Sequence, residues 1–281
     1  MKVLALIDAD SLVYQSLRDS LEESLSVLDH KINNIVEKTK CTHYALFVST
    51  GGNYFRKKVA DSVYKKNRDK YQIRQWTKTL KAILEDRYHA NNCVGVEADD
   101  LVLYWYNKPL FFNGNSIVDS VEPSSNVEEV TKILCSIDKD LLKTVPGKHF
   151  NYTFKTNPEN NETIMGQWIE TTEEEAEEFL LKQLVTGDST DNIIGLPGKG
   201  EVFWNKWKKA QSDKISIGNI LDLYCKEIYS KSKAIKTFYN NFTMLYMLRT
   251  PEDFEANGLE LPSFPFIHAV PNNQMLIDVE F

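Results

Sequence analysis

The chain has 281 residues, with 33 Lys and Arg against 40 Asp and Glu and a formal charge of −7. Its 42% hydrophobic and 26% charged content excludes a disordered or fibrous protein, and no apolar run reaches the ~20 residues that a membrane span needs. The acidic total argues at first against a nucleic-acid partner, because basic faces drive phosphate binding.

Residues 3–7 (VLALI) form a short apolar run that reads as a buried strand, and Asp8 follows too early for a signal peptide. A mostly helical stretch covers 12–38. Residues 43–49 (HYALFVS) are rich in β-formers and run into Gly51-Gly52, a second strand and its loop. The spacing of Ile73, Trp76, Leu80, Ile83 and Leu84 predicts a helix over 71–88 with one apolar face. Cys93-Val94 reads as a short strand, 98–106 as a helix, 109–126 as a polar surface excursion and 132–137 (KILCSI) as another buried strand. Residues 152–155 and 163–169 suit a hairpin. Thr172 followed by Glu175 fits a capping box opening a helix to Val185, and 201–248 reads as several helices. Alternation of strands and helices over 1–145 predicts an α/β fold, a parallel sheet covered by helices.

Charge is unevenly placed. Residues 53–87 carry 11 basic and 4 acidic groups, residues 88–198 carry 7 and 19, and residues 199–249 carry 10 and 4. Two basic blocks thus flank an acidic middle; solvated surface is the usual fate of such lysines. Cys41, Cys93, Cys135 and Cys225 form no C-x-x-C pair, which suits reduced thiols in a cytoplasmic protein. The five histidines show no zinc-ligand spacing.

The acids stand at element ends. Asp8 and Asp10 end the first strand, Glu97, Asp99 and Asp100 open a helix, and Asp138 and Asp140 end the KILCSI strand. The C-terminal strand ends of a parallel sheet form its site-bearing edge. Singly, each pair is a helix cap or a solvated turn acid. Together they bring like charges into one place, which is costly unless a hard divalent cation such as Mg²⁺ takes their oxygens. A further pair, Asp188 and Asp191, lies on one side of a turn in GDSTDNIIGLPGKG (187–200). The glycines of 195–200 expose backbone N–H groups of the kind that bind phosphate.

In this order and spacing, Asp8, Glu97-Ala98-Asp99-Asp100, Asp138-Lys139-Asp140 and GDSTDNIIGLPGKG resemble the 5′-nuclease superfamily: flap endonucleases, the 5′-nuclease domain of bacterial DNA polymerase I, and phage 5′→3′ exonucleases and ribonuclease H. Tyr64-Lys65-Lys66-Asn67-Arg68 is similar to the Y-K-x-N-R segment of the phage members. The resemblance spans about residues 2–248. It implies a PIN-like catalytic α/β domain over 1–170 with a short arch or clamp at about 53–91, a helix-three-turn-helix module over 171–250 and a C-terminal tail over 251–281. It implies that Asp8, Glu97, Asp99, Asp100, Asp138, Asp140, Asp188 and Asp191 bind two Mg²⁺ ions, with Mn²⁺ as a substitute. Lys65 and Arg68 match residues contacting the scissile phosphate, and Tyr64 an aromatic stacking on the terminal base. Gly195, Gly198, Lys199 and Gly200 match the turn that grips the duplex backbone, often with K⁺.

The chain departs from the family's pattern in three places. No Asp follows the second strand near Ser49-Thr50-Gly51; Asp10 is a candidate replacement or a helix cap. Lys199 stands where the family carries an apolar residue, and 109–126 looks inserted. The implied activity is Mg²⁺-dependent 5′→3′ exonuclease and flap endonuclease cleavage of DNA with a free 5′ end, a flap or a nick. Removal of RNA primers from RNA–DNA hybrids is the alternative, and a non-catalytic structure-specific DNA-binding protein a third reading. A monomer without a membrane role is expected, in the host cytoplasm if phage-encoded.

Overall fold

The computed structural model describes residues 2–49, 51, 54–59, 64–66, 75–114, 116–122, 127–156 and 163–271. Strand β1 (Val3–Asp8) is buried at every position, as its unbroken apolar run requires of a central parallel strand. The helical stretch after it is two helices, α1 (Ala9–Ser16) and α2 (Leu21–Thr39). Ser20 separates them by capping α2, its side chain accepting from the Glu23 N–H. Strand β2 (His43–Phe47) then lies parallel to β1, pairing Leu4 with His43 through to Asp8 with Phe47.

Helices α3 (Phe55–Val59) and α4 (Thr77–Asp86) follow. The expected helix over 71–88 is therefore shorter at both ends, with 71–74 outside the described residues. Leu80 and Leu84 are buried, and Trp76 and Ile83 pack against the same core. Cys93-Val94 is not a strand. The chain pairs with Phe47 only at Asn91, then turns at Gly95, which has φ +79°, leaving Val94 exposed. Helix α5 (Ala98–Asn107) crosses β1 and β2.

The 109–126 segment is more than a surface excursion. Strands β3 (Phe111–Asn113), β4 (Ser116–Val118) and β5 (Glu128–Glu129) form an antiparallel sheet in the order β4-β3-β5. It buries Phe112 and Ile117; strands this short hold too few alternating apolar residues to register as periodic.

Strand β6 (Thr131–Cys135) flanks β1 on the side away from β2, in parallel. After α6 (Lys139–Lys143) come β7 (Gly147–Thr156), parallel to β6, and β8 (Thr163–Thr171), the expected hairpin partner. The capping box of Thr172 and Glu175 opens α7 (Glu173–Thr186). Helices α8 (Glu201–Lys209), α9 (Ile217–Glu227) and α10 (Lys231–Leu245) share with α7 an apolar cluster centred on Leu184, Trp204, Tyr224 and Phe238. The residues after 248 return to the sheet: α11 (Pro251–Ala256) buries Phe254, and β9 (His268–Ala269) pairs antiparallel with β2. The main sheet has the order β8-β7-β6-β1-β2-β9. Its chain direction of travel reverses at β1, between β2 and β6, so the crevice at their C-terminal ends is where such sheets place a site. Among the described residues no helix is long and apolar enough to cross a membrane, and all four cysteines are free.

Candidate active site

Asp8, the last residue of β1, is 2% exposed. One of its oxygens accepts from the Asp10 N–H (3.1 Å) and the other from the hydroxyls of Ser11 (3.0 Å) and Ser136 (2.8 Å). Ser136, just beyond β6, also receives the Asp138 N–H (3.0 Å) and so joins two acid-bearing strand ends. Asp138 caps α6 by accepting from the Asp140 N–H (2.8 Å). Glu97, Asp99, Asp138, Asp140, Asp188 and Asp191 line one narrow cleft with Arg56 and Tyr64, and the buried Asp8 is close enough for its charge to act on Asp99.

Burial, then the charges of Asp10 and Asp138, push Asp8 up to about 7. Burial, Asp138 and Asp188 push Asp140 to about 8, and burial with Asp8 and Asp138 holds Asp99 well above the usual carboxylate range. Glu97 behaves oppositely: burial opposes its charge, but Lys65 and Arg56 hold it down at about 2.

Three cations of the basic 53–87 block turn inward onto these acids. Arg56, 2% exposed, donates to both oxygens of Asp100 (2.6 Å each), to Glu97 (2.9 Å) and to the Tyr246 carbonyl (2.8 Å). Lys65 pairs with Glu97, lies 3.6 Å from Asp191, and donates its backbone N–H to the Asp191 carbonyl (2.9 Å). Lys81 of α4 donates to Asp10 (2.6 Å) and to the Ser49 carbonyl (3.2 Å). Asp10 lies in the first turn of α1, not at the end of β1 as expected, and also receives the Ser49 N–H (3.1 Å), so it ties α1 to the loop after β2 while Asp8 caps α1.

Several expected roles change in this geometry. Asp100 turns away from the cleft, fully buried, with both oxygens on Arg56 and one also accepting the Leu248 N–H (2.8 Å). Neighbouring helical residues project about 100° apart, and here Asp99 lines the cleft while Asp100 faces Arg56. Tyr64 is not presented for base stacking: it is 4% exposed, and its hydroxyl donates to Glu97 (2.9 Å) and Asp191 (3.3 Å). Gly195 is buried, its carbonyl bound by Asn241 (2.8 Å). A Cβ on Gly195 would meet the Gly187 nitrogen at 2.3 Å, which makes glycine obligatory where the loop closes on itself. Gly198 and Gly200 are exposed, while Lys199 pairs with Glu227 (2.8 Å) beside the Phe203 ring. Arg68 lies outside the described residues.

The donor set fits a hard divalent cation. It consists of carboxylates, and the buried Asp140 Oδ1 has no hydrogen-bond partner. Among the described residues no three such groups already close on one point; Lys65 and Arg56 hold Glu97 instead. Sequence reasoning missed Arg56 and Lys81, since nothing distinguishes them from the solvated lysines around them. Ser136 was missed too, read only as part of the KILCSI strand, although a small polar residue between a buried strand and an acid is the signal that marks it.

No family model and no curated protein matches the chain. Solved structures do. A bacteriophage T5 flap endonuclease in complex with DNA and metal ions matches at 18% identity and a TM-score of 0.53, over 92% of this chain and 94% of that one. A bacteriophage T5 protein co-crystallised with metal ions matches at 17% and 0.52, over 86% and 89%. The T5 5′-exonuclease with zinc bound matches at 17% and 0.50, over 87% and 86%. The chain has the 5′-nuclease fold. Within that fold the acid cleft occupies the crevice at the C-terminal ends of β1 and β6, beside the loop that carries Asp188 and Asp191.

Proposed function

We propose that the protein is a Mg²⁺-dependent 5′-nuclease, a 5′→3′ exonuclease and structure-specific flap endonuclease acting on DNA. One observation carries this reading: six carboxylates converge on one cleft at the sheet's site-bearing edge, with a buried oxygen left without a partner. The likeness to a DNA- and metal-bound flap endonuclease supports it.

Asp8, Glu97, Asp99, Asp138 and Asp140, with Asp188 and Asp191 across the cleft, would hold two Mg²⁺ ions, for which Mn²⁺ substitutes. Bound there, such ions would supply Lewis-acid polarisation of the phosphodiester and a water made nucleophilic at neutral pH. The chain's own residues prepare the reaction. Ser11 and Ser136 fix the Asp8 carboxylate, and Arg56 holds Asp100 and Glu97 in place. Lys65, resting on Glu97, is the cation placed to neutralise charge developing on the phosphate, and Arg68 shares that role by its motif. Tyr64 orients Glu97 and Asp191. Gly198 and Gly200 offer backbone N–H groups to the duplex backbone, and the same turn would be the place for a K⁺ ion. Residues 53–91 select a free 5′ end, and the protein acts as a monomer.

The test compares a 5′-labelled flap, a nicked duplex and an RNA–DNA hybrid, each with Mg²⁺ and with EDTA. Release of 5′-terminal products from the two DNA substrates in Mg²⁺ alone is expected. Faster cleavage of the hybrid would transfer the assignment to primer removal, and no cleavage of any substrate would overturn it.

A further inference from the structure

Helix α5 brings Glu97 and Asp99 to the cleft, yet its first turn is capped from elsewhere. Glu97 is the N-cap residue, but its side chain makes no capping bond; Arg56, Tyr64 and Lys65 occupy its carboxylate instead. A helix start without a cap leaves N–H groups unpartnered. Ser49, in the loop after β2 and 5% exposed, supplies the acceptor from another element: its hydroxyl oxygen takes the Ala98 N–H at 2.8 Å. Ser49 is in turn held at its own backbone. Its N–H donates to Asp10 Oδ1 (3.1 Å), and its carbonyl accepts from Lys81 Nζ (3.2 Å), which also donates to the same Asp10 oxygen (2.6 Å).

These bonds form one relay through four elements. Lys81 of α4 reaches Asp10 in the first turn of α1, the two together clasp Ser49, and Ser49 holds the start of α5. The Asp10 N–H meanwhile donates to Asp8 (3.1 Å). The acid of β1 and the acids of α5 are thus registered against each other through Asp10. Neither Asp10 nor Lys81 is among the described residues that line the cleft. The charge of Asp10 acts on Asp8, and the Lys81 ammonium offsets it. Lys81 is half-buried, whereas Lys78, nearly one turn earlier on the same helix, is exposed. A lysine engaged by a carboxylate and a carbonyl holds α4 in place; it is not presented to a phosphate.

We propose that Asp10, Ser49 and Lys81 are positioning residues that set Asp8 against Glu97 and Asp99, so that the cleft reaches its full metal affinity only with α4 seated on α1. This rests on the nuclease reading and deepens it, from the acids themselves to what spaces them. The chain carries no Asp after β2; a neutral hydroxyl stands there, fixed by an acid from α1 and a lysine from α4. Groups that orient metal ligands without touching the metal still govern it, and their loss costs about 10–100-fold in metal affinity or activity.

The experiment uses two changes that keep the net charge, Ser49→Ala and Asp10→Asn/Lys81→Met, with Lys81→Arg as the conservative control, all in the full-length protein. Without metal or DNA, hydrogen exchange at the Ala98 amide should be on the order of tenfold faster in the double variant, although neither substitution touches that amide. Calorimetric titration of DNA-free protein with Mn²⁺ should show affinity about tenfold weaker in Ser49→Ala and in the double variant, and near wild type in Lys81→Arg. Turnover at saturating duplex should fall by a similar factor, with KM and the salt slope of duplex binding unchanged. All three substitutions together should lose less than the sum of the separate losses, because they break one relay. Wild-type Mn²⁺ affinity and Ala98 exchange in the double variant overturn the proposal. So does a salt slope lowered by about one with Mn²⁺ affinity intact, which makes Lys81 a phosphate contact. Melting temperatures above the assay temperature confirm folding, and the double variant decides if Ser49→Ala does not fold. A wild type that neither binds Mn²⁺ nor cuts DNA overturns the nuclease reading itself, while Ala98 exchange still reports on the relay.

Discussion

Replacing Arg56 with Met tests how the acid cluster is kept folded. Arg56 and Asp100 are both almost completely excluded from solvent, and the guanidinium occupies both Asp100 oxygens. Removing it strands one carboxylate with only the Leu248 N–H and loosens a second, Glu97, which keeps Lys65. Breaking one buried ion pair costs about 3–5 kcal/mol, because the remaining charge is uncompensated. At roughly 2–4 °C per kcal/mol for a chain approaching this size, the melting temperature of Arg56→Met should fall by about 6–20 °C. Chemical denaturation followed by circular dichroism gives the free energy directly. The decisive comparison is Arg56→Met/Asp100→Asn: with the stranded charge gone, most of the loss should return. A single variant within about 1 kcal/mol of wild type, or a double variant no better than the single, would refute the buried-clamp role.

The remaining predictions concern pH, the glycine loop and the free 5′ end. Asp8 sits at about 7 and Asp140 at about 8 against 3.8 unperturbed, so the folded state keeps protons that the unfolded chain has released. Without divalent metal, stability should therefore decline as pH rises from about 4 to about 8. Melts in EDTA should show a lower midpoint at about pH 8 than at about pH 6, with Mg²⁺ restoring more at the higher pH; equal Mg²⁺ effects would contradict this. Gly198→Ala, which meets nothing within 4 Å, should cost about 1–2 kcal/mol for its left-handed backbone. Gly195→Ala drives a Cβ into the Gly187 backbone and should cost more than about 4 kcal/mol; equal unfolding free energies would disprove the loop-closure role. A covalently closed circle should resist cleavage that its linearised form undergoes, and equal rates would remove end selection from residues 53–91.

The central strands and the acids were legible because both announce themselves locally. β1 and β6 are apolar runs that stop at carboxylates, and a parallel sheet brings such stops to one edge. The partners of those acids were not legible. Arg56 sits in an Arg-Lys-Lys run that reads as solvated charge, and its burial depends on Asp100 and the Tyr246 carbonyl, 44 and 190 residues away. Asp100 was grouped with Asp99 because adjacency in sequence hides the turn of the helix between them. The aromatic of Tyr64 gives no sign of burial on its own; it joins the apolar cluster of α7–α10 only in three dimensions. β3–β5 and β9 are two or three residues long, shorter than any periodic signal. The opening charge balance also changes meaning: part of the acidic excess is the cleft, and part of the basic block is folded onto it.

The measurement closest to the centre of this reading is an Mg²⁺ titration of cleavage on a 5′-labelled duplex, run on wild type and Asp140→Asn with duplex binding followed in parallel. The metal assignment predicts Mg²⁺-dependent product from wild type, none from Asp140→Asn, and closely similar duplex binding by both. Cleavage by Asp140→Asn at the wild-type rate, or by wild type in EDTA, would contradict it.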